Sequence, residues 1–182
     1  MKKINGKLVS IGTTLVLIAG LVSWNYFGNS GTTAEEKNLV KNGDMEAGNP
    51  PDNWRADRAK LSAETEDAYS GKQSLKIVAF KALGRATQIF KCEPGKRYRF
   101  EFMYKCGPSS KLYINIWAAG GSASTLGDVK YDNTWTAYEG EFTILADLKS
   151  AYTATLGFCT YVDQEVWIDD VIITEIGAWV EI

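Results

Sequence analysis

From Asn38 onward the chain runs in short stretches of alternating apolar and polar residues, broken at regular intervals by turn signals. The alternation predicts strands at Asn38–Lys41, Lys60–Thr65, Ser74–Phe80, Ala86–Cys92, Arg97–Cys106, Lys111–Ala118, Trp135–Ile144, Tyr152–Tyr161 and Glu165–Glu175. Between them lie "YSGK", "ALG", "EPGK", "CGPSS", "AAGGSAS" and "YDNT", all rich in Gly, Pro, Asn or Ser. No stretch beyond the first thirty or so residues keeps a 3.6-residue apolar period. Eight or nine strands at this spacing predict an all-β fold, an antiparallel sandwich, with no internal repeat and no linker to a second domain.

Parity along each strand assigns its faces. In "RYRFEFMYKC" the residues Tyr98, Phe100, Phe102 and Tyr104 share a core side, and Arg99, Glu101, Met103 and Lys105 share the other. In "KLYINIWA" the core side is Leu112, Ile114 and Ile116, which leaves Tyr113, Asn115 and Trp117 outward. In "YTATLGFCTY" Leu156 and Phe158 point in, while Thr153, Thr155, Gly157, Cys159 and Tyr161 point out. A solvated sheet face has no need of a Tyr-Asn-Trp row, so a ligand, a cover by the loop Ala118–Asp128 or the tail "IGAWVEI", or a few tolerated surface aromatics are the alternatives there.

The first strand leads into "NLVKNGDMEAGNPPDNW". Asn42-Gly43 is a turn signal, since both residues tolerate positive φ. Asp44 and Glu46 then share one face, with Met45 directed into a core between them. At the other end of the domain, "VWIDDVIITEI" sets Asp169 and Asp170 inside an otherwise apolar strand. Carboxylates there are costly unless a positive or hydrogen-bonding group compensates them.

Composition narrows the chemistry. The chain has 182 residues, a formal net charge of −2 and no histidine. That charge gives no reason to expect a nucleic acid as partner. Without histidine there is no Ser-His-Asp or Cys-His nucleophile, and a zinc enzyme is not expected. Lys2, Lys3 and Lys7 precede the apolar stretch Leu8–Val22, which reads as an export signal. No charge follows until Glu35, so the same stretch is long enough to span a bilayer, with Trp24, Tyr26 and Phe27 at its interface. The expected division is residues 1–34 as signal peptide or membrane anchor with a short linker, 35–178 as the sandwich, and 179–182 as a tail. The domain is then secreted or held at the cell surface, and a monomer is expected.

Three cysteines remain, Cys92, Cys106 and Cys159. In a hairpin of the two flanking strands Cys92 and Cys106 lie roughly 30 Å apart at ~3.3 Å per residue, so no bridge between them is expected. Burial is the expectation for all three.

Six segments in series, "NLVKNGDMEAG" followed by a tryptophan, "AYSGKQSLKI", "EPGKRYRFEFMYK", "WTAYEGEFTI" and "VWIDDVII", resemble the family 4, family 9 and family 22 carbohydrate-binding modules. The resemblance covers nearly all of residues 38–176, in order. It implies a galactose-binding-like jelly roll with a sugar cleft on a concave sheet and a structural Ca²⁺ ion. The calcium ligands it implies are Glu46, the carbonyl of Lys72 and Asp169, with Asp44 a further member. Ca²⁺ takes about six to eight oxygen ligands, a chemistry that suits these groups.

The expected function is an exported, non-catalytic module that binds a soluble poly- or oligosaccharide. Trp117 and Tyr113 would stack on sugar C–H faces, and Glu101, Asn115 and Arg99 would hydrogen-bond hydroxyls. Tyr161 is the next aromatic candidate. If the strands carrying Glu101 and Trp117 are neighbours, these groups share one surface. The alternative is a cell-surface structural or protein-interaction module of the same fold without sugar binding. A glycoside hydrolase or lyase is a third reading. It would need two carboxylates facing each other across a cleft. Glu101 is central on its face, whereas Glu139 and Glu141 read as solvated charge.

Overall fold

The structure is a computed structural model that describes residues 37–118, 123–129, 133–148 and 152–178. The expected export segment and the tail 179–182 lie outside the described residues. Ten strands form: β1 (Arg55–Asp57), β2 (Ala59–Glu64), β3 (Ser74–Ala79), β4 (Gly84–Lys91), β5 (Lys96–Cys106), β6 (Leu112–Ala118), β7 (Ala123–Val129), β8 (Thr136–Thr143), β9 (Thr153–Thr160) and β10 (Glu165–Ala178). They make two five-stranded sheets, in the order β1-β4-β9-β6-β7 and β2-β3-β10-β5-β8, and all pairings are antiparallel. The two are called the first and second sheet below.

The predicted core faces hold. Tyr98, Phe100, Phe102 and Tyr104 of β5 are buried, as are Leu112, Ile114 and Ile116 of β6 and Leu156 and Phe158 of β9. Phe102 and Phe158 meet across the two sheets at 4.9 Å between ring centres, and Trp54 packs on Phe158 at 5.6 Å. Each such side chain contributes about 1.5–3 kcal/mol by leaving water.

Three elements differ from expectation. Residues 38–41 form no strand. They run beside β10 instead, where β3 has already ended: the Leu39 amide donates to the Ile173 carbonyl at 2.8 Å, and Asn38 uses its side chain to bond Val171 and Ile173. A side-chain amide here replaces ladder bonds, a substitution that parity cannot reveal. β1 was not expected, being three residues long with no apolar alternation. Most consequential, the expected loop Ala118–Asp128 contains β7, which pairs with β6 and extends the first sheet. Its Gly and Ser content hid it, because β-propensity is a statement about packing more than about backbone.

The Asn42-Gly43 turn forms as expected. Asn42 sits at φ 48°, and its side chain bonds the backbone of Ala47 and Asp52. A Cβ on Gly43 would fall 2.1 Å from the Val171 carbonyl oxygen, so only glycine lets the turn press against β10. Met45 is fully buried while Asp44 and Glu46 are exposed.

Candidate functional site

The first sheet's outer face has a legible row order. Register aligns Asp57, Arg85, Cys159 and Tyr113, then Arg55, Thr87, Gly157 and Asn115, then Ile89, Thr155 and Trp117. At the far edge β7 brings Asp128 into register with Tyr113. The predicted row Tyr113, Asn115 and Trp117 therefore stands on an outer sheet face, each residue partly exposed.

Gly157 explains how Trp117 lies. A Cβ on that glycine would meet Trp117 Cζ3 and Cη2 at 2.5 and 2.6 Å, so the outer edge of the six-membered ring abuts the bare backbone of β9. The Arg85 guanidinium lies over the same indole, 5.1 Å from its ring centre. Asp57 anchors that arginine: its carboxylate accepts from Arg85 Nε at 2.6 Å, and Arg58 Nε stands 3.4 Å away on its other oxygen. The Arg85 hydrogen bond holds the Asp57 carboxyl below the usual carboxylate range. Beside this group Tyr113 meets Tyr161 edge to face at 5.3 Å, and Asn115 Nδ2 donates to Cys159 Sγ at 3.3 Å. Burial pushes the Cys159 thiol up, so it is a covered, protonated group. It also corrects parity: Gly157 and Cys159 belong to the outer face, yet Trp117 and Asn115 bury them.

Glu101 and Arg99 are elsewhere. β5 belongs to the second sheet and β6 to the first, so the shared surface with Trp117 does not form. Arg99 Nε is 3.5 Å from Glu139 and 3.8 Å from Glu101, and Glu141 pairs with Arg97. These charges satisfy one another on the second sheet's outer face. The short "GPSS" connection joins facing sheets, not neighbouring strands, and its length is compatible with both.

The second sheet also carries the residues expected around calcium. Glu46 Oε1 accepts from the backbone amides of Lys72 and Gln73 at 2.8 and 3.0 Å, which lowers its pKa. Asp169 is fully buried under the same loop, with Oδ2 accepting from Tyr69 and Ser70 and Oδ1 from Asp170. Burial nevertheless raises its pKa to about 6. Asp170, at φ 48° in a bulge, accepts from Ser70 Oγ. Asp67 completes the fastening by holding Lys105 and the Trp135 indole. So Glu46, Lys72 and Asp169 do converge on one loop, with oxygen donors of the type a hard cation takes. The loop presents amide N–H groups to both carboxylates. Among the described residues no three Cys, Asp or Glu side chains gather closely enough to hold a metal ion. Asp44 instead lines an open cleft with Asn42 and Asp170.

The residues missed from sequence are Asp57, Arg58, Arg85 and Gly157. Parity in "RATQIFK" points Arg85 outward, and a glycine inside a strand signals close approach; these signals were available. None of the three cysteines is in a disulfide, and all are buried, as expected.

Residues 37–160 match a family model described as a carbohydrate binding domain. Among solved structures, the chain is similar to the CBM22-1 xylan-binding domain of Paenibacillus barcinonensis Xyn10C. Identity is 16% and the TM-score 0.64, over 79% of this chain and 97% of that one. TmCBM61, solved in complex with β-1,4-galactotriose, gives 15% identity and a TM-score of 0.59 over 76% and 99%. The enzymatically active domain of bacteriophage CBA120 tailspike protein 4 gives 21% and 0.60 over 76% of this chain, but this chain spans only 21% of that one. Comparison with curated protein sequences finds no match.

Proposed function

The chain belongs to the carbohydrate binding domain family, and from that membership we propose that it is an exported, non-catalytic module whose first sheet binds a poly- or oligosaccharide. One observation carries the reading: the Trp117 indole stands partly exposed on an outer sheet face, its Cζ3–Cη2 edge against Gly157, with Tyr113, Tyr161 and Asn115 beside it. A pyranose stacks its C–H face on such a ring, and Asn115 offers a planar amide to a hydroxyl. The Lys-led apolar stretch at residues 8–22 supports export, by cleavage or by retention as an anchor. Non-catalytic action is supported by the face itself. Its carboxylate Asp57 is held by Arg85, whereas glycoside hydrolysis needs an opposed pair. A calcium ion at Glu46, the Lys72 carbonyl and Asp169 is the structural part of the proposal, with the ion's charge offsetting the burial of Asp169.

Isothermal titration against a panel of soluble glycans, including xylan and β-1,4-galactan oligosaccharides, tests the binding. Trp117→Ala should lose binding with a melting midpoint within a few degrees of the parent. A stable variant that binds unchanged places the platform elsewhere, and Tyr161 is then the next residue to change. A variant that unfolds makes Trp117 a structural residue instead.

A further inference from the structure

The chain as a whole is slightly acidic, yet its charges are not evenly spread. On the first sheet's outer face, strands β1, β4, β6 and β9 present Arg55, Arg85 and Lys91, and Arg58 follows β1 directly. Against these four cations the face offers Asp57, and register adds Asp128 at its β7 edge. The second sheet's outer face carries Glu101, Glu139, Glu141 and Glu165, each paired with a cation of that sheet. So the aromatic face holds surplus positive charge while the opposite face is balanced.

The position of that charge matters more than its amount. Arg85 lies over the Trp117 ring, so a cation and a stacking surface occupy the same place. Asp57 neutralises one arginine, and Arg58 reaches the same carboxylate more loosely. Arg55 forms no ion pair among the described residues. It stands in the row of Gly157 and Asn115, next to the ring's resting place. Guanidinium groups suit planar oxyanions because they can donate two parallel N–H bonds.

We infer that this face selects anionic glycans, chains in which a uronate carboxylate or a sulfate ester accompanies the pyranose that stacks on Trp117. The inference rests on the sugar-binding reading and adds the substrate class to it. Arg85 and Arg55 meet the anionic substituent while the indole takes the C–H face. Arg58 supplies the charge that keeps the Asp57 pair from cancelling the site.

The test uses the full chain and two matched pairs of probes. One pair is a uronate polymer, glucuronoxylan, and its carboxyl-reduced form. The other is a sulfated galactan and its desulfated form. Polyglutamate serves as a polyanion that is not a sugar. At low ionic strength the anionic member of at least one pair should bind about tenfold more tightly than its neutral counterpart. That ratio should shrink as salt approaches 0.3 M, where screening shortens the reach of exposed charges. Arg55→Gln with Arg58→Gln should bring the ratio towards one, whereas Lys60→Gln on the second sheet should leave it unchanged. The pair that discriminates identifies carboxylate or sulfate as the source. Equal binding within both pairs overturns the inference and leaves the sugar-binding reading standing. No binding to any of the four glycans overturns both. Polyglutamate binding as tight as the anionic glycans overturns selectivity for sugar.

Discussion

Asp169 should make the metal-free domain more stable as the solution is acidified from neutral. The carboxyl has no exposed surface, and burial raises its pKa to about 6 despite three backbone amide donors. In the unfolded chain the group returns to its ordinary value of 3.8. Between those two values the folded protein binds the proton more readily than the unfolded one. The raised folded pKa means the contribution is fully present below about pH 4 and is lost as pH rises through 6. Two units of separation correspond to about 3 kcal/mol of stability missing at pH 7. Glu46 and Asp57 act oppositely, because their pKa values are lowered and their stabilisation is lost on acidification. Their effect falls below about pH 4.5, so the window from 7 to 4.5 isolates Asp169.

The assay is a series of thermal melts in chelator, comparing the parent with Asp169→Asn, which cannot titrate. Between pH 7 and 4.5 the parent should gain about 2–3 kcal/mol relative to the variant. At roughly 2–4 °C per kcal/mol for a domain of this size, that is a shift of about 5–10 °C in the gap between midpoints. A gap that stays constant across the window refutes the reasoning: Asp169 is then as well solvated folded as unfolded. A gap that moves the other way means the three amide donors outweigh burial.

Saturating calcium should raise the parent's midpoint at pH 7, by an amount equivalent to ~2.7 kcal/mol at one hundred times the dissociation constant. An unchanged midpoint after rigorous chelation and re-addition argues that the backbone amides alone hold the loop. Chelation at 20 °C should leave glycan affinity unchanged in titration calorimetry, and a loss there would place the ion at the sugar. Gly157→Ala should weaken glycan binding tenfold or more with a small change in melting, since the added methyl lifts the Trp117 ring; unchanged affinity would mean the resting position of the indole is not the binding one. Thiol labelling of the native domain should be slow at Cys92, Cys106 and Cys159 and complete after unfolding, and a disulfide-linked peptide in the mass spectrum would contradict their separate burial.

The architecture was legible because alternation is a direct image of burial. "RYRFEFMYKC" and "KLYINIWA" each have one apolar side, and a one-residue slip would turn that whole side to water. Strand partnership is less legible. The same parity holds whether β5 and β6 are neighbours or face each other across the core, so Glu101 and Trp117 could be joined only by assumption. β7 was lost for a related reason: "ASTLGDV" has no apolar stripe, and its strand identity comes from the free edge of β6. Within the site, the indole was predicted to point outward but its lie was not, because that depends on a glycine two strands' register away from it in sequence. The buried carboxylate was read correctly as needing compensation. What sequence could not show is that backbone amides of a loop one hundred residues earlier provide it.

The two halves of the molecule divide their tasks by sheet. Asp169, Glu46 and Asp67 all act on the second sheet, where they fasten the β2–β3 loop over β10 and β5. Trp117, Arg85 and Gly157 act on the first, on strands whose partners are β1, β7 and one another. Between them lies the aromatic core of Phe100, Phe102 and Phe158, close-packed and therefore resistant to small shifts. A change in charge at Asp169 thus reaches the proposed binding face through whole-domain stability. The same packing holds Gly157 and β6 at a fixed spacing, which keeps the edge of the Trp117 ring against the β9 backbone. A platform held ready in this way loses little conformational entropy when a ligand arrives. Stability and the proposed recognition can therefore be altered separately in this fold, the first through the loop carboxylates and the second through the row of arginines and the indole.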